Sequence, residues 1–259
     1  MKQDVAHGKA RNDMSLKESE NEQMDYSKFL QETALLDFRS PIIKSLISKR
    51  GWRSLEEERK AIAIYNFVRD EILFGYNVSD HRKASRILKD GYGQCNTKGV
   101  LLMALFRAVG IPSRIHGFMI DKALQKGAMT GIVYRSAPKE IFHSYVEAFI
   151  CDKWYRLEGF ILDRDYLSAL QKKFIPNEDG SFMGYGVATD NFLNPPIDFR
   201  CCDTFIQKEG IVRDFGVFDS PDSLLEEHGQ KMSPFKDFMF RLIGRRLMNK
   251  NVKKIRKFL

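Results

Sequence analysis

Gly91-Tyr92-Gly93-Gln94-Cys95-Asn96-Thr97-Lys98-Gly99-Val100-Leu101-Leu102-Met103-Ala104-Leu105-Phe106-Arg107-Ala108-Val109-Gly110-Ile111-Pro112 is the stretch on which the fold turns. From Asn96 to Val109 a broad helical face is apolar, through Val100, Leu101, Leu102, Met103, Leu105, Phe106 and Val109, and a helix this hydrophobic is expected to be buried. Gly110 suits a left-handed cap and Pro112 follows just past it, so the helix stops there. Cys95 therefore stands at the entrance to a central helix.

Downstream, Arg114 to Ile120 and Ile141 to Ile150 alternate or run apolar in strand fashion, and Cys151-Asp152-Lys153 is a tight turn into Trp154-Tyr155-Arg156-Leu157-Glu158. Upstream, Phe29 to Lys49 predicts two short helices interrupted before Pro41, and Ser54-Leu55-Glu56-Glu57-Glu58 predicts the capped start of a helix over 55–73. Helices first and an antiparallel sheet afterwards indicate an α+β domain. From about Gln171 the chain is turn-rich, with one helix expected near Phe235 to Leu247. Residues 1–25 are polar and charged and are expected to be a flexible arm, 26–170 the core, and 171–259 an extension packed on it.

A thiol at the first turn of a helix gains from the unpaired N–H groups there, which favour a thiolate. A nucleophilic cysteine also needs an imidazole, itself held by an acceptor. Strand parity places His143, Tyr145, Glu147 and Phe149 on one face, and the hairpin returns Glu158 toward His143. Cys95, His143 and Glu158 are the candidate catalytic set, with Asp163 and Asp165 as alternatives to Glu158. Taken alone, His116 reads as an ordinary strand residue and Glu147 as one half of a structural polar pair.

Three stretches, Gly91 to Arg114, His143-Ser144-Tyr145-Val146-Glu147 and Trp154 to Glu158, resemble the transglutaminase-like superfamily of papain-type fold, with an entry helix at Ala61 to Tyr76. The likeness spans roughly residues 38–167. It implies a papain-like core with the nucleophile at the N-terminus of a buried helix packed on an antiparallel sheet. It further implies that Cys95 attacks a carboxamide carbonyl, His143 serves as acid and base, and Glu158 orients the histidine. The chain departs from the family pattern in carrying Glu158 for Asp, Gly159 for Pro, Asn96 after the cysteine and Tyr145 after the histidine block begins. The backbone N–H of Cys95 is a natural first oxyanion donor, and Tyr76 is the candidate second.

Composition narrows the rest. A chain of 259 residues with 43% hydrophobic and 29% charged residues fits a globular protein rather than a collagenous, coiled-coil or wholly disordered one. No apolar run approaches the roughly 18 to 20 residues of a membrane-spanning helix, and the first residues lack a secretory signal, so a cytoplasmic protein with reduced thiols is expected. Cys95, Cys151, Cys201 and Cys202 form no zinc-like spacing, no acidic calcium loop is present, and no cofactor is expected. The substrate is expected to be a peptide, protein or small amide.

The net charge of +8 is local. Residues 236–259 hold nine Lys and Arg against Asp237, so residues 1–235 sum to zero. Met248, Val252, Ile255 and Leu259 recur at helical spacing in this basic segment. That stripe either packs on the core or makes an amphipathic surface for an anionic membrane or nucleic acid. The alternative to an enzyme is accordingly an inactive module of the same fold that uses residues 236–259 to bind an anionic partner.

Overall fold

The computed structural model describes residues 25–230 and 233–259. The arm expected over residues 1–25 lies outside them, apart from Asp25. Pro41 opens helix α1 (Pro41–Arg50), which stops at Gly51 in the left-handed conformation, φ 64°. Helix α2 (Glu57–Asp70) is shorter than the 55–73 expected. Ser54 does not cap it, because its hydroxyl turns back to the carbonyl of Gly51 and closes the preceding turn.

The chain then forms a two-stranded parallel pair that delivers the cysteine. Strand β1 (Leu73–Phe74) pairs with β2 (Tyr92–Gly93), helix α3 (Ala84–Asp90) intervening and ending at Gly91, φ 68°. Helix α4 (Cys95–Ala108) follows at once, and every one of its residues is buried, as its apolar face demands. A Cβ on Gly93 would sit 2.7 Å from Thr97 Oγ1, so glycine is what lets β2 run this close to the start of α4.

The main sheet is antiparallel, with strand order β5-β4-β3-β8. Strand β3 (Ser113–Asp121) leads through a short helix, α5 (Gly131–Ser136), to β4 (Glu140–Ile150). A turn in which Cys151 and Asp152 both take positive φ gives β5 (Lys153–Leu157). Helix α6 (Arg164–Lys173) is capped by Asp163. A small hairpin of β6 (Phe182–Gly184) and β7 (Val187–Thr189) precedes β8 (Ile211–Phe218), which joins the far edge of the sheet. Helix α7 (Pro221–His228), capped by Ser220, is followed by α8 (Pro234–Met239), one π turn at Phe240–Gly244, and α9 (Arg245–Ile255). The helix expected near 235–247 thus runs on to Ile255 with a π turn inside it.

Helix α9 lies across β1 and the residues after it. Asn249 accepts from the backbone N–H of Tyr76 and donates to its carbonyl, at 2.8 and 3.0 Å. Arg256 makes a bidentate pair with Asp163, at 2.6 Å for both bonds. Met248, Val252 and Ile255 are buried on the core, whereas Leu259 is exposed.

Glycine at 159 has a steric cause, since a Cβ there would come within 2.7 Å of both Ile197 Cα and the Tyr65 hydroxyl. Its N–H also donates to Thr204 Oγ1, which a proline could not do. Gly159→Ala is therefore expected to destabilise the fold by about 1–3 kcal/mol, read as a lowered midpoint in urea unfolding at unchanged slope.

Candidate active site

The start of α4 is tied down before any chemistry is considered. Gln94 and Thr97 form a reciprocal capping box. The Gln94 side-chain carbonyl also accepts from the Asn77 N–H at 2.8 Å, and its amide donates to Asp80 at 2.9 Å. Thr97 Oγ1 donates to Asn77 Oδ1 at 2.6 Å, while Asn77 Nδ2 reaches the Tyr92 carbonyl. These bonds fix the first helical turn, and Cys95 with it, against the loop that follows β1. The Cys95 N–H is one of the helix's first four, which have no partner within the helix.

Strand β4 brings His143 to that end. Its alternation turns Ser144 and Val146 toward α4, where Ser144 Oγ donates to Asn96 Oδ1 at 2.8 Å. His143 stands on the other face, packed on Phe118 with ring centroids 4.9 Å apart. Strand β5 pairs with β4 only as far back as Val146, opposite Leu157, so β4 has no β5 partner at Ser144. There the backbone N–H groups of Ser144 and Asn96 bear on the Cys95 sulfur and favour its thiolate. The cysteine thus meets the residue next in chain to the histidine.

Glu158 follows β5 directly and is fully buried. Its Oε2 accepts from the backbone N–H of Ile206 and of Gln207, both at 2.9 Å, and its Oε1 lies 4.0 Å from His143 Nε2. The Glu158 N–H is held by the Thr204 carbonyl at 3.0 Å. Residues 204–207 therefore position the carboxylate, and its longer side chain is taken up by those two N–H groups.

Four buried polar atoms here have no hydrogen-bond partner, namely both ring nitrogens of His143, Glu158 Oε1 and Gln207 Oε1. Gln207 is buried, donates through Nε2 to the Gly186 carbonyl at 2.6 Å, and turns its free oxygen toward His143. Sequence reasoning missed it, because nothing in a turn-rich segment marks one glutamine as an acceptor for a histidine on a distant strand.

Burial governs the charges. It pushes the Cys95 thiol well up, assisted by Asp80, and pushes His143 down to about 3. It raises Glu158 to about 7, against the pull of the Gln207 and Ile206 N–H groups. The resting thiol and imidazole are therefore both neutral.

The other candidates fall elsewhere. Asp163 is committed to Arg256, the Phe74 N–H and the Tyr166 N–H, and Asp165 is exposed in the first turn of α6, so neither substitutes for Glu158. Tyr76 lies within electrostatic reach of Cys95, but its hydroxyl proton goes to Gln125, which removes it as the second oxyanion donor. Glu147 pairs with Arg114 at 2.6 Å. His116 is more than a plain strand residue, bridging Asp214 at 2.7 Å and Glu147 at 3.4 Å.

Of Cys95, His143 and Glu158, the cysteine is the least buried, at 7% exposure. A cavity of about 500 Å³ lined by Tyr134, Phe174 and Tyr185 does not include Cys95, His143 or Glu158. Among the described residues no group of His, Cys, Asp and Glu is arranged to hold a metal ion.

Residues 49–159 match the family model of the transglutaminase-like superfamily. That segment is similar to a transglutaminase-like core. It contains Cys95, His143 and Glu158 and ends at the glycine that replaces the expected proline. A solved structure of a cysteine protease candidate from Cytophaga hutchinsonii is 20% identical, with a TM-score of 0.38. The match covers 54% of this chain and 43% of that one, so less than half of that protein is spanned. No curated protein matches the chain.

Because the folded Glu158 carboxyl keeps its proton up to about pH 7 and the unfolded one releases it near 4.5, its contribution to stability is complete below pH 4.5 and is lost as pH rises toward 7. Glu158→Gln cannot titrate. The unfolding free energy of the wild type minus that of the variant should fall by on the order of 3 kcal/mol across that window, measured by urea unfolding at stepped pH.

Proposed function

We propose that this protein is a cysteine-dependent acyltransferase or amide hydrolase that works through a thioester on Cys95. The observation carrying this reading is a thiol at the start of a buried helix, set against the residue after a buried histidine whose ring nitrogens are both free. In this reading His143 Nδ1 takes the Cys95 proton as the sulfur attacks an amide carbonyl carbon. The tetrahedral oxyanion forms at the Cys95 N–H and the helix N-terminus. Collapse breaks the C–N bond, and the departing amine takes the proton back from His143. Water or a second amine then attacks the thioester, gives up a proton through His143 and frees the thiol.

Glu158 and Gln207 act as positioning residues on the far side of the ring. The Glu158 carboxylate stabilises the imidazolium from 4.0 Å, and the Gln207 oxygen offers its N–H an acceptor. The neutral resting pair suits general-base catalysis, in which His143 takes the thiol proton as the sulfur attacks an electrophile, amide carbonyl or iodoacetamide alike, so that charge develops only along the reaction.

Exposure and catalysis predict opposite orders of thiol reactivity. By exposure alone Cys151 and Cys202 should react with iodoacetamide before Cys95. The catalytic reading requires Cys95 to be labelled fastest near neutral pH, followed by mass spectrometry of tryptic peptides, and to lose that lead in His143→Ala. Labelling in order of exposure, unchanged by the histidine variant, overturns it. Gln207→Leu is expected to slow Cys95 labelling about tenfold and to shift its pH profile while leaving Cys151 labelling unaltered.

A further inference from the structure

Of the four apolar residues of 236–259 that the sequence singles out, three are turned inward, and a further set is turned outward. Met248, Val252 and Ile255 are buried, yet just upstream Phe235 is 72% and Phe238 57% exposed, and Leu242, Ile243 and Leu247 are exposed as well. Phe235 and Phe238 are spaced i, i+3 on α8, as residues sharing a helix face are, and Leu242, Ile243 and Leu247 carry the exposed set on through the π turn. The π turn spans Phe240–Gly244. Its extra residue per turn changes the phase of the side chains between α8 and α9.

The same helical run is mostly basic, its one acid, Asp237, being paired with Arg241. Arg246, Lys250, Lys253, Lys254 and Lys257 are exposed, and none has an ion-pair partner among the described residues. Large aromatic and aliphatic side chains left in water beside unpaired cations are the two halves of an interfacial helix, the apolar part entering the acyl boundary and the bases meeting lipid phosphate and carboxylate. A nucleic acid would meet the bases but has no use for outward leucine and isoleucine, and a like copy of this face would set cations against cations. No helix among the described residues is long and apolar enough to cross a membrane, so contact would be from one side.

We infer that the outer face of α8, the π turn and α9 is a docking surface for anionic lipid membrane. This inference is independent of the catalytic reading. The test is co-sedimentation of the full chain with vesicles of phosphatidylcholine alone or with about one third phosphatidylserine, at low and at high salt. Bound protein should rise about tenfold with the anionic lipid and fall again in salt. The double variant Phe235→Glu with Phe238→Glu should abolish binding, and Lys253→Gln with Lys254→Gln and Lys257→Gln should weaken it severalfold. All five positions are exposed, so thermal unfolding should be unchanged. Failure to bind anionic vesicles at low salt overturns the inference. So does binding indifferent to the phenylalanine variant, a dimer in light scattering that this variant dissolves without any vesicle binding, or capture of duplex DNA or RNA in place of vesicles.

Discussion

The site rests on the pinning of one helix end. The first turn of α4 is locked by hydrogen bonds among Asn77, Gln94, Thr97 and Asp80, while the rest of the helix is sealed on all sides by apolar packing. A helix buried along its whole length cannot slide or roll without opening voids, and a pinned N-terminus cannot fray. The sulfur of Cys95 is thereby fixed relative to β4, which α4 itself supports through Val146 and Ser144. Rigid placement matters because the nucleophile, imidazole and carboxylate come from three separate elements.

The other side of the site is built from the backbone. Glu158 is held by N–H groups of residues 206 and 207 and by Thr204, and Gln207 is in turn anchored to the Gly186 carbonyl. Replacing Asp-Pro with Glu158-Gly159 is a coherent pair of changes in this setting. The longer acid reaches two N–H groups, and the glycine admits Ile197 and Tyr65 where a side chain would collide. A chain segment that looks peripheral by composition thus completes the environment of the histidine.

The central helix and the β4–β5 hairpin were legible because their periodicities are strong and their stops, Gly110 with Pro112 and Cys151 with Asp152, are local. Cys95, His143 and Glu158 stood out in the sequence through the resemblance of three motifs, and the structure brings Glu158 to 4.0 Å from His143. Gln207, the N–H groups that hold Glu158, and strand β8 were not. Backbone donors are the same in every sequence, and β8 is an edge strand with much of its surface exposed, so it lacks the apolar run that marks a buried one. The stripe of Met248, Val252 and Ile255 does pack on the core, whereas Leu259 is exposed and the π turn upstream left no mark in the apolar spacing.

The bracket of hydrogen bonds between Asn249 and the main chain of Tyr76 joins positions 173 residues apart. Contacts so distant in sequence close late, after the loops between them have collapsed. During synthesis the loop beside the cysteine emerges long before the helix that clasps it, and until then its N–H and carbonyl are left to water. An assembling chain would pass through a period in which its sulfur is more open than in the finished molecule.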